Sequence, residues 1–207
     1  MTLPDDIAAM AESIVNTLTQ TYYQHADKID PSTGIYKCDC NGFAAYVLSK
    51  TVPQEYALIP AEPLQERPRA FEYFNFFASL TPDSSGGWRR VDKLEDARRG
   101  DVMAWRFPTI ERGEDTGHVV ILAESPTFDP SGKFLVVRLY DSAAKAHFDD
   151  TRMPHGQASP TGTTGVGSGL INMLVDGEGR PIADLFAPPA DAEYSYRPIA
   201  IGRAEPL

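Results

Sequence analysis

Apolar residues in the first part of the chain recur at the three- and four-residue spacing that is typical of amphipathic helices. The first run predicts a helix over residues 5–24, with apolar positions at Ile7, Met10, Ile14 and Leu18. The second run predicts a helix that begins at Asp39 or Cys40 and ends near Ser49. Its apolar stripe consists of Phe43, Ala44, Val47 and Leu48. This second helix is apolar on most sides, so we expect it to lie at the centre of the fold.

A loop and a third helix are predicted between this helix and the first strands. Four prolines between residues 53 and 68 predict a connecting loop. Residues 69–80 predict a helix that is dense in aromatic side chains, namely Phe71, Tyr73, Phe74, Phe76 and Phe77. Core packing explains such a cluster, and one wall of a substrate-binding site is the alternative.

From residue 88 onwards the pattern changes to that of β-strands. Strands are predicted at residues 102–107, 118–123, 134–141, 169–175, 180–185 and 196–202, and the last of these is expected to close the sheet. Helices followed by strands indicate a single α+β domain over residues 1–207, with the helices packed on an antiparallel sheet. The stretch from 147 to 168 has no periodicity, and a loop of this length is often functional, for instance as a lid.

Composition narrows the classes of function. The chain of 207 residues has a formal net charge of −10, which argues against nucleic acid or an anionic membrane as the main partner. No apolar stretch reaches the ~20 residues that a membrane span needs, and the first residues lack the pattern of a signal peptide. The two cysteines, Cys38 and Cys40, are too close together for an unstrained disulfide. The sequence leaves the localisation and the oligomeric state open.

Two short motifs carry the candidate chemistry. One places Cys40 at the start of a predicted helix, after Asp39 as its N-cap, and the other places His118 at the start of a predicted strand. A helix N-terminus lowers a thiol pKa and an imidazole can take the proton, so we expect a thiolate–imidazolium pair. Backbone N–H groups of the first turn, including that of Cys40, would form part of an oxyanion hole. Gly42 is expected to let the helix approach the sheet closely.

A third polar residue should orient the imidazole through its second ring nitrogen. Asp141 lies at the end of the predicted strand that follows the His118 strand. If the two strands are antiparallel neighbours, the start of one lies beside the end of the other, and His118 and Asp141 lie side by side. Glu124 lies at the opposite end of the His118 strand and fits this role less well.

Metal binding is a separate hypothesis that uses the same residue types. One possible ligand set consists of Cys38, Cys40, His118 and Asp141, and a second of His147, Asp149, Asp150 and His155. The paired Cys-x2-Cys spacing of zinc sites is absent, and the second set matches no common metal motif. We therefore expect neither a metal nor a cofactor.

At its two motifs the chain resembles the NlpC/P60 superfamily of papain-like cysteine peptidases. The catalytic helix of that family opens with Asp-Cys-Ser-Gly and an apolar residue, and this chain reads Asp39-Cys40-Asn41-Gly42-Phe43. A Gly-Asp turn with its strand follows at 100–105, and a Gly-His-aliphatic strand at 117–121. The resemblance covers residues 36–141. Asn41 departs from the family pattern, as does Asp141, since the third polar residue is usually His, Asn or Gln.

The resemblance implies a papain-like fold and hydrolysis of an amide bond through a thioester, commonly in peptidoglycan stem peptides. Cys40 then maps to the nucleophile and His118 to the base, with Asp141 as the orienting residue. A peptide or peptidoglycan fragment is the expected substrate, and its expected contacts are Tyr36, Asp39, Asn41 and Trp105. CHAP amidases share similar strands and are a close alternative. Because Cys precedes His here, the permuted branch that includes lipid acyltransferases is disfavoured.

Two further functions are consistent with the same sequence. One is a non-catalytic domain on the same fold that recognises a peptide or a glycan. The other is a secreted antibacterial effector amidase, which would share the chemistry of a housekeeping enzyme. The reactivity of Cys40 distinguishes the binding domain from an enzyme, and growth inhibition upon periplasmic targeting identifies an effector.

Overall fold

The computed structural model describes residues 2–84, 86–110, 115–186 and 193–207. Its helices are α1 (Leu3–Thr17), α2 (Cys40–Thr51), α3 (Pro53–Tyr56) and α4 (Ala70–Ser79). Three short strands lie among the first helices, namely β1 (Gln20–Tyr22), β2 (Lys28–Asp30) and β3 (Ile35–Lys37). The later strands are β4 (Trp88–Val91), β5 (Val102–Arg106), β6 (Gly117–Leu122), β7 (Thr127–Phe128), β8 (Leu135–Ala143), β9 (Gly165–Val175), β10 (Pro181–Leu185), β11 (Ser195–Tyr196) and β12 (Ile199–Ala204).

The strands β4 to β12 form one large antiparallel sheet. Its order is β11-β10-β9-β8-β6-β5-β12-β4, and β7 pairs with β8 beside this path. The α+β class with an antiparallel sheet is therefore confirmed. The last strand does not close the sheet at an edge, because β12 lies between β4 and β5 and pairs with both. A second, small sheet joins β1, β3 and β2, in which β1 is parallel to β3.

The central strands are apolar on both faces because both faces are covered. On one face, residues such as Val119 and Ile121 pack with the helices. On the other face, Val120 and Leu122 belong to a second apolar cluster that is built mainly from strand residues. β10 contacts β12 although four strands separate them in the sheet order, so the sheet curls around this second cluster.

The helices follow the sequence prediction with two corrections. The first helix ends at Thr17 and not near residue 24, because the β-branched and aromatic residues of β1 favour a strand and pair with β3. The proline-rich segment contains the short helix α3 before its loop begins. In α4, Tyr73 and Phe77 are buried in the core, as aromatic packing predicts. Within the described ranges no helix is both long enough and apolar enough to cross a membrane.

Candidate active site

Cys40 is the first residue of α2, as the N-cap pattern predicted. The side chain of Asp39 accepts a hydrogen bond from the Gly42 N–H at 2.7 Å, and the first intrahelical bond runs from the Phe43 N–H to the Asp39 carbonyl at 3.1 Å. The N–H groups of Cys40 and Asn41 precede this bond, so the helix itself offers them no acceptor. They are free to face a developing negative charge near the thiol.

Cys40 is buried, with 3% of the residue exposed. Burial raises its pKa well above the ordinary value, and the carboxylates of Asp39 and Asp141 add to this rise. A hydrogen bond from the Val119 backbone N–H opposes it, and the Asn41 side-chain oxygen lies 3.7 Å from the sulfur. The structure therefore favours a neutral resting thiol, in contrast to the thiolate that the helix N-terminus led us to expect.

His118 and Asp141 lie side by side, as the strand geometry predicted. β6 and β8 are antiparallel neighbours, and His118 Nε2 lies 2.6 Å from Asp141 Oδ2. An ionised carboxylate only accepts hydrogen bonds, so Nε2 carries the proton. Nδ1 then has a free lone pair and can accept a proton. Glu124 instead lies 3.7 Å from Arg138.

The thiol and the imidazole lie near the same end of β6 but pack on opposite faces of the sheet. Cys40 packs with Val119 on the face that the helices cover, whereas the ring of His118 packs with Trp105 and Phe186 on the other face. Among the hydrogen bonds between described residues, none joins Cys40 to His118.

Two residues that sequence reasoning did not place in the catalytic group converge on Asp141. His147 Nε2 lies 2.8 Å from Asp141 Oδ2, and Arg152 Nη2 lies 3.1 Å from Asp141 Oδ1. Burial alone would raise the pKa of Asp141, but His147, Arg152 and the hydrogen bonds from both histidines hold it well below the ordinary value. Asp150 in turn pairs with Arg152 through both carboxylate oxygens. The start of the 147–168 segment is therefore buried in the site, and a lid over that part is excluded.

Aromatic rings hold the His118 imidazole in place. The ring centroid of Trp105 lies 5.2 Å from that of His118, and the ring of Phe186 stands edge-on at 5.0 Å. Trp105 is 1% exposed, and it contacts His118 and does not line the cleft. Gly117 allows this arrangement, since its φ is +142° and a Cβ there would overlap the Trp105 carbonyl.

A cleft of about 800 Å³ is lined by the sequence neighbours of Cys40 and His118 but by neither residue itself. Asp39 and Asn41 line it at the start of α2, and residues 115–117 line it at the start of β6. The segment 62–67 lines it from the loop before α4 and carries the fully exposed Leu64. Cys40 and His118 are themselves almost buried.

The remaining predicted contact residues differ in their surroundings. The Asp39 carboxylate is fully engaged, with Gly42 and Arg67 on one oxygen and His25 on the other. Tyr36 is buried and packs against the ring of Tyr46 at 5.9 Å, and it does not line the cleft. Its contact with substrate stays a prediction without support from this geometry.

Tyr23 is a site residue that the sequence analysis missed, because the first helix was predicted to run through it. Burial raises the pKa of its phenol, and the nearby charges that add to this rise begin with Cys40 and Asp115. Its ring also packs edge-on against His25 at 5.7 Å. The phenol therefore lies within electrostatic reach of the thiol, at the same end of the cleft.

Gly42 has a different role from the one expected. A Cβ at this position would overlap the carboxylate of Asp27. The glycine thus makes room for an acidic side chain and does not serve close packing on the sheet.

In the described part of the chain, neither proposed ligand set forms a group that could hold a metal ion. The two histidines of the site both point to Asp141 itself, and their Nε2 atoms are used in these hydrogen bonds.

In comparisons with family models, curated proteins and solved structures, none matched the chain.

Proposed function

We propose that this protein is a cysteine-dependent amide hydrolase with a papain-like arrangement of its catalytic residues. The observation that carries the proposal is the His118–Asp141 pair, which leaves Nδ1 of His118 as a proton acceptor next to Gly117, and Gly117 lines the same cleft as Asp39 and Asn41. A base oriented by a carboxylate and a cysteine at a helix N-terminus are the groups that nucleophilic catalysis needs. The proposal requires the imidazole to turn towards Cys40 when substrate binds. The resemblance of the motifs to NlpC/P60 proteins supports a peptide or peptidoglycan stem peptide as substrate.

The reaction would begin from a neutral pair. As Cys40 Sγ attacks the amide carbon, His118 Nδ1 takes the thiol proton and an S–C bond forms. The Cys40 and Asn41 N–H groups stabilise the oxyanion. The C–N bond then breaks, and the amine leaves with the proton from His118. Water, deprotonated by His118, hydrolyses the thioester to a carboxylate and restores the thiol.

A non-catalytic binding domain is the second candidate. The buried thiol with its raised pKa and the lack of a resting hydrogen bond to His118 favour it. The cleft would then hold a peptide or glycan without cleaving it. The secreted effector stays a hypothesis about biology, since it would use the same residues.

The test uses the purified protein with soluble peptidoglycan fragments and mass spectrometry of the products. We expect the wild type to cleave an amide bond, Cys40→Ala to lose cleavage, and Cys38→Ala to retain it. Cys38 is a matched control because it is also buried and lies two residues away. Equal cleavage by Cys40→Ala, or fragments bound intact by the wild type, would overturn the hydrolase proposal. Periplasmic expression of the wild type and of Cys40→Ala would show whether cleavage inhibits growth.

A further inference from the structure

His147 has two hydrogen-bond partners that can only accept. Its Nδ1 lies 2.7 Å from the carbonyl oxygen of Phe186, and its Nε2 lies 2.8 Å from Asp141 Oδ2. A carbonyl oxygen has no proton to donate, and neither has an ionised carboxylate. Both nitrogens of the His147 ring must therefore carry a proton, which makes the ring an imidazolium.

The charges around the ring support the same protonation state. Three buried carboxylates surround the two histidines, namely Asp141, Asp150 and Asp184. Two arginines pair with them, since Arg152 contacts Asp141 and Asp150, and Arg197 lies 2.9 Å from Asp184. Buried charges are stable when they are balanced, and a charged His147 supplies the third cation. His118 can then stay neutral.

We propose that His147 is a positioning residue that acts through Asp141 on His118. Its charge keeps Asp141 ionised, and the ionised carboxylate holds the His118 proton on Nε2. A cation on the far side of Asp141 also disfavours a second imidazolium at His118. This role rests on the proposed function, whereas the charge on His147 does not.

Nitrogen NMR of the full-length protein, labelled with ¹⁵N at histidine, tests the charge directly. At pH 7.5 we expect two protonated ring nitrogens for His147 and one for His118, with assignments from His25→Gln, His118→Gln and His155→Gln, and of His147 by elimination among the four histidines. A neutral His147 ring in the folded wild type would overturn the inference. This measurement needs neither a substrate nor a stable variant of His147.

The effect on His118 is tested by the pH dependence of Cys40 alkylation with iodoacetamide. Gln in place of His147 keeps an N–H that can reach Asp141 but carries no charge. We expect the acid limb of the rate profile in His147→Gln to move up by about one pH unit, because loss of the cation strengthens proton binding at His118. His155→Gln, which alters an exposed histidine of the same segment, should leave the profile unchanged.

The outcomes separate the two proposals. If His118→Ala does not alter the alkylation of Cys40, the proposed base is wrong, and the NMR result still decides the charge of His147. If alkylation depends on His118 but the profiles of His147→Gln and wild type coincide, the positioning role is wrong and the hydrolase proposal remains.

Discussion

The carboxylate of Asp27 occupies the space that a side chain at Gly42 would need. Asp27 also lies 3.1 Å from Arg67, which pairs in turn with the N-cap residue Asp39. The first turn of α2 is therefore packed against an acidic side chain from the segment before β2.

Gly42→Ala should destabilise the protein by about 1 kcal/mol, because Asp27 must move away from Arg67. In an Asp27→Ala background the same change should stabilise the protein by about 1 kcal/mol, since Ala favours a helix over Gly. Urea unfolding of the wild type, the two single variants and the double variant measures whether the change in unfolding free energy reverses its sign. Equal effects in both backgrounds would show that the two side chains do not compete for space.

Asp27 should also make stability depend on pH. Burial outweighs the ion pair with Arg67 and raises the pKa of Asp27 to about 6. The folded state thus binds this proton more tightly than the unfolded state, so ionisation between pH 4 and 6 costs stability. The unfolding free energy of Asp27→Asn, relative to that of the wild type, should therefore rise by about 1 kcal/mol between pH 4.5 and pH 7.5, after allowance for solvent screening.

Urea unfolding at three pH values checks this gain. Asp129→Asn is a suitable control, because hydrogen bonds from Ser131 and the backbone lower the pKa of Asp129 to about 2. Asp129 is ionised throughout this pH range, so the difference in unfolding free energy between Asp129→Asn and the wild type should be constant. A constant difference for Asp27→Asn as well would contradict the raised pKa.

Asp39→Asn should increase the reactivity of Cys40. The carboxylate next to the thiol disfavours the thiolate, and Asn retains the N-cap hydrogen bond. We expect alkylation by iodoacetamide at pH 8 to be about fivefold faster. Asp115→Asn should give a smaller increase, because its side chain is more than half exposed. A slower reaction in Asp39→Asn would mean that its charge does not control the thiol.

Arg152→Met should cost about 3 to 5 kcal/mol of unfolding free energy. The change leaves Asp141 and Asp150 buried beside an uncharged side chain. Arg138→Met is the matched control, since Arg138 pairs with exposed carboxylates, and it should cost at most about 1 kcal/mol. Denaturation followed by the fluorescence of the two buried tryptophans reports both values. Similar losses for the two variants would show that the buried pairs add no special stability.

Local patterns were sufficient for part of the site. The N-cap Asp39 predicted where α2 begins, and the order of strands predicted that His118 meets Asp141. Both predictions rest on spacing within one element or between two adjacent strands. Their catalytic roles stay predictions.

The rest of the site depends on contacts that spacing does not encode. His147 and Arg152 lie in a segment without periodicity, and their places are set by contacts with Asp141, Asp150 and backbone carbonyls. Tyr23 was missed because the apolar pattern of the first helix continues beyond Thr17, where the helix ends. The neutral state of Cys40 follows from burial, which opposes the helix N-terminus and which the sequence does not display.

The position of β12 between β4 and β5 has a consequence during synthesis. β4 and β5 are synthesised before residues 199–204, so the edge of each strand that pairs with β12 stays unpaired until β12 has been made. Open strand edges pair readily with other chains. An incomplete chain would therefore be most prone to aggregate at β5, whose other edge already belongs to the sheet that carries His118.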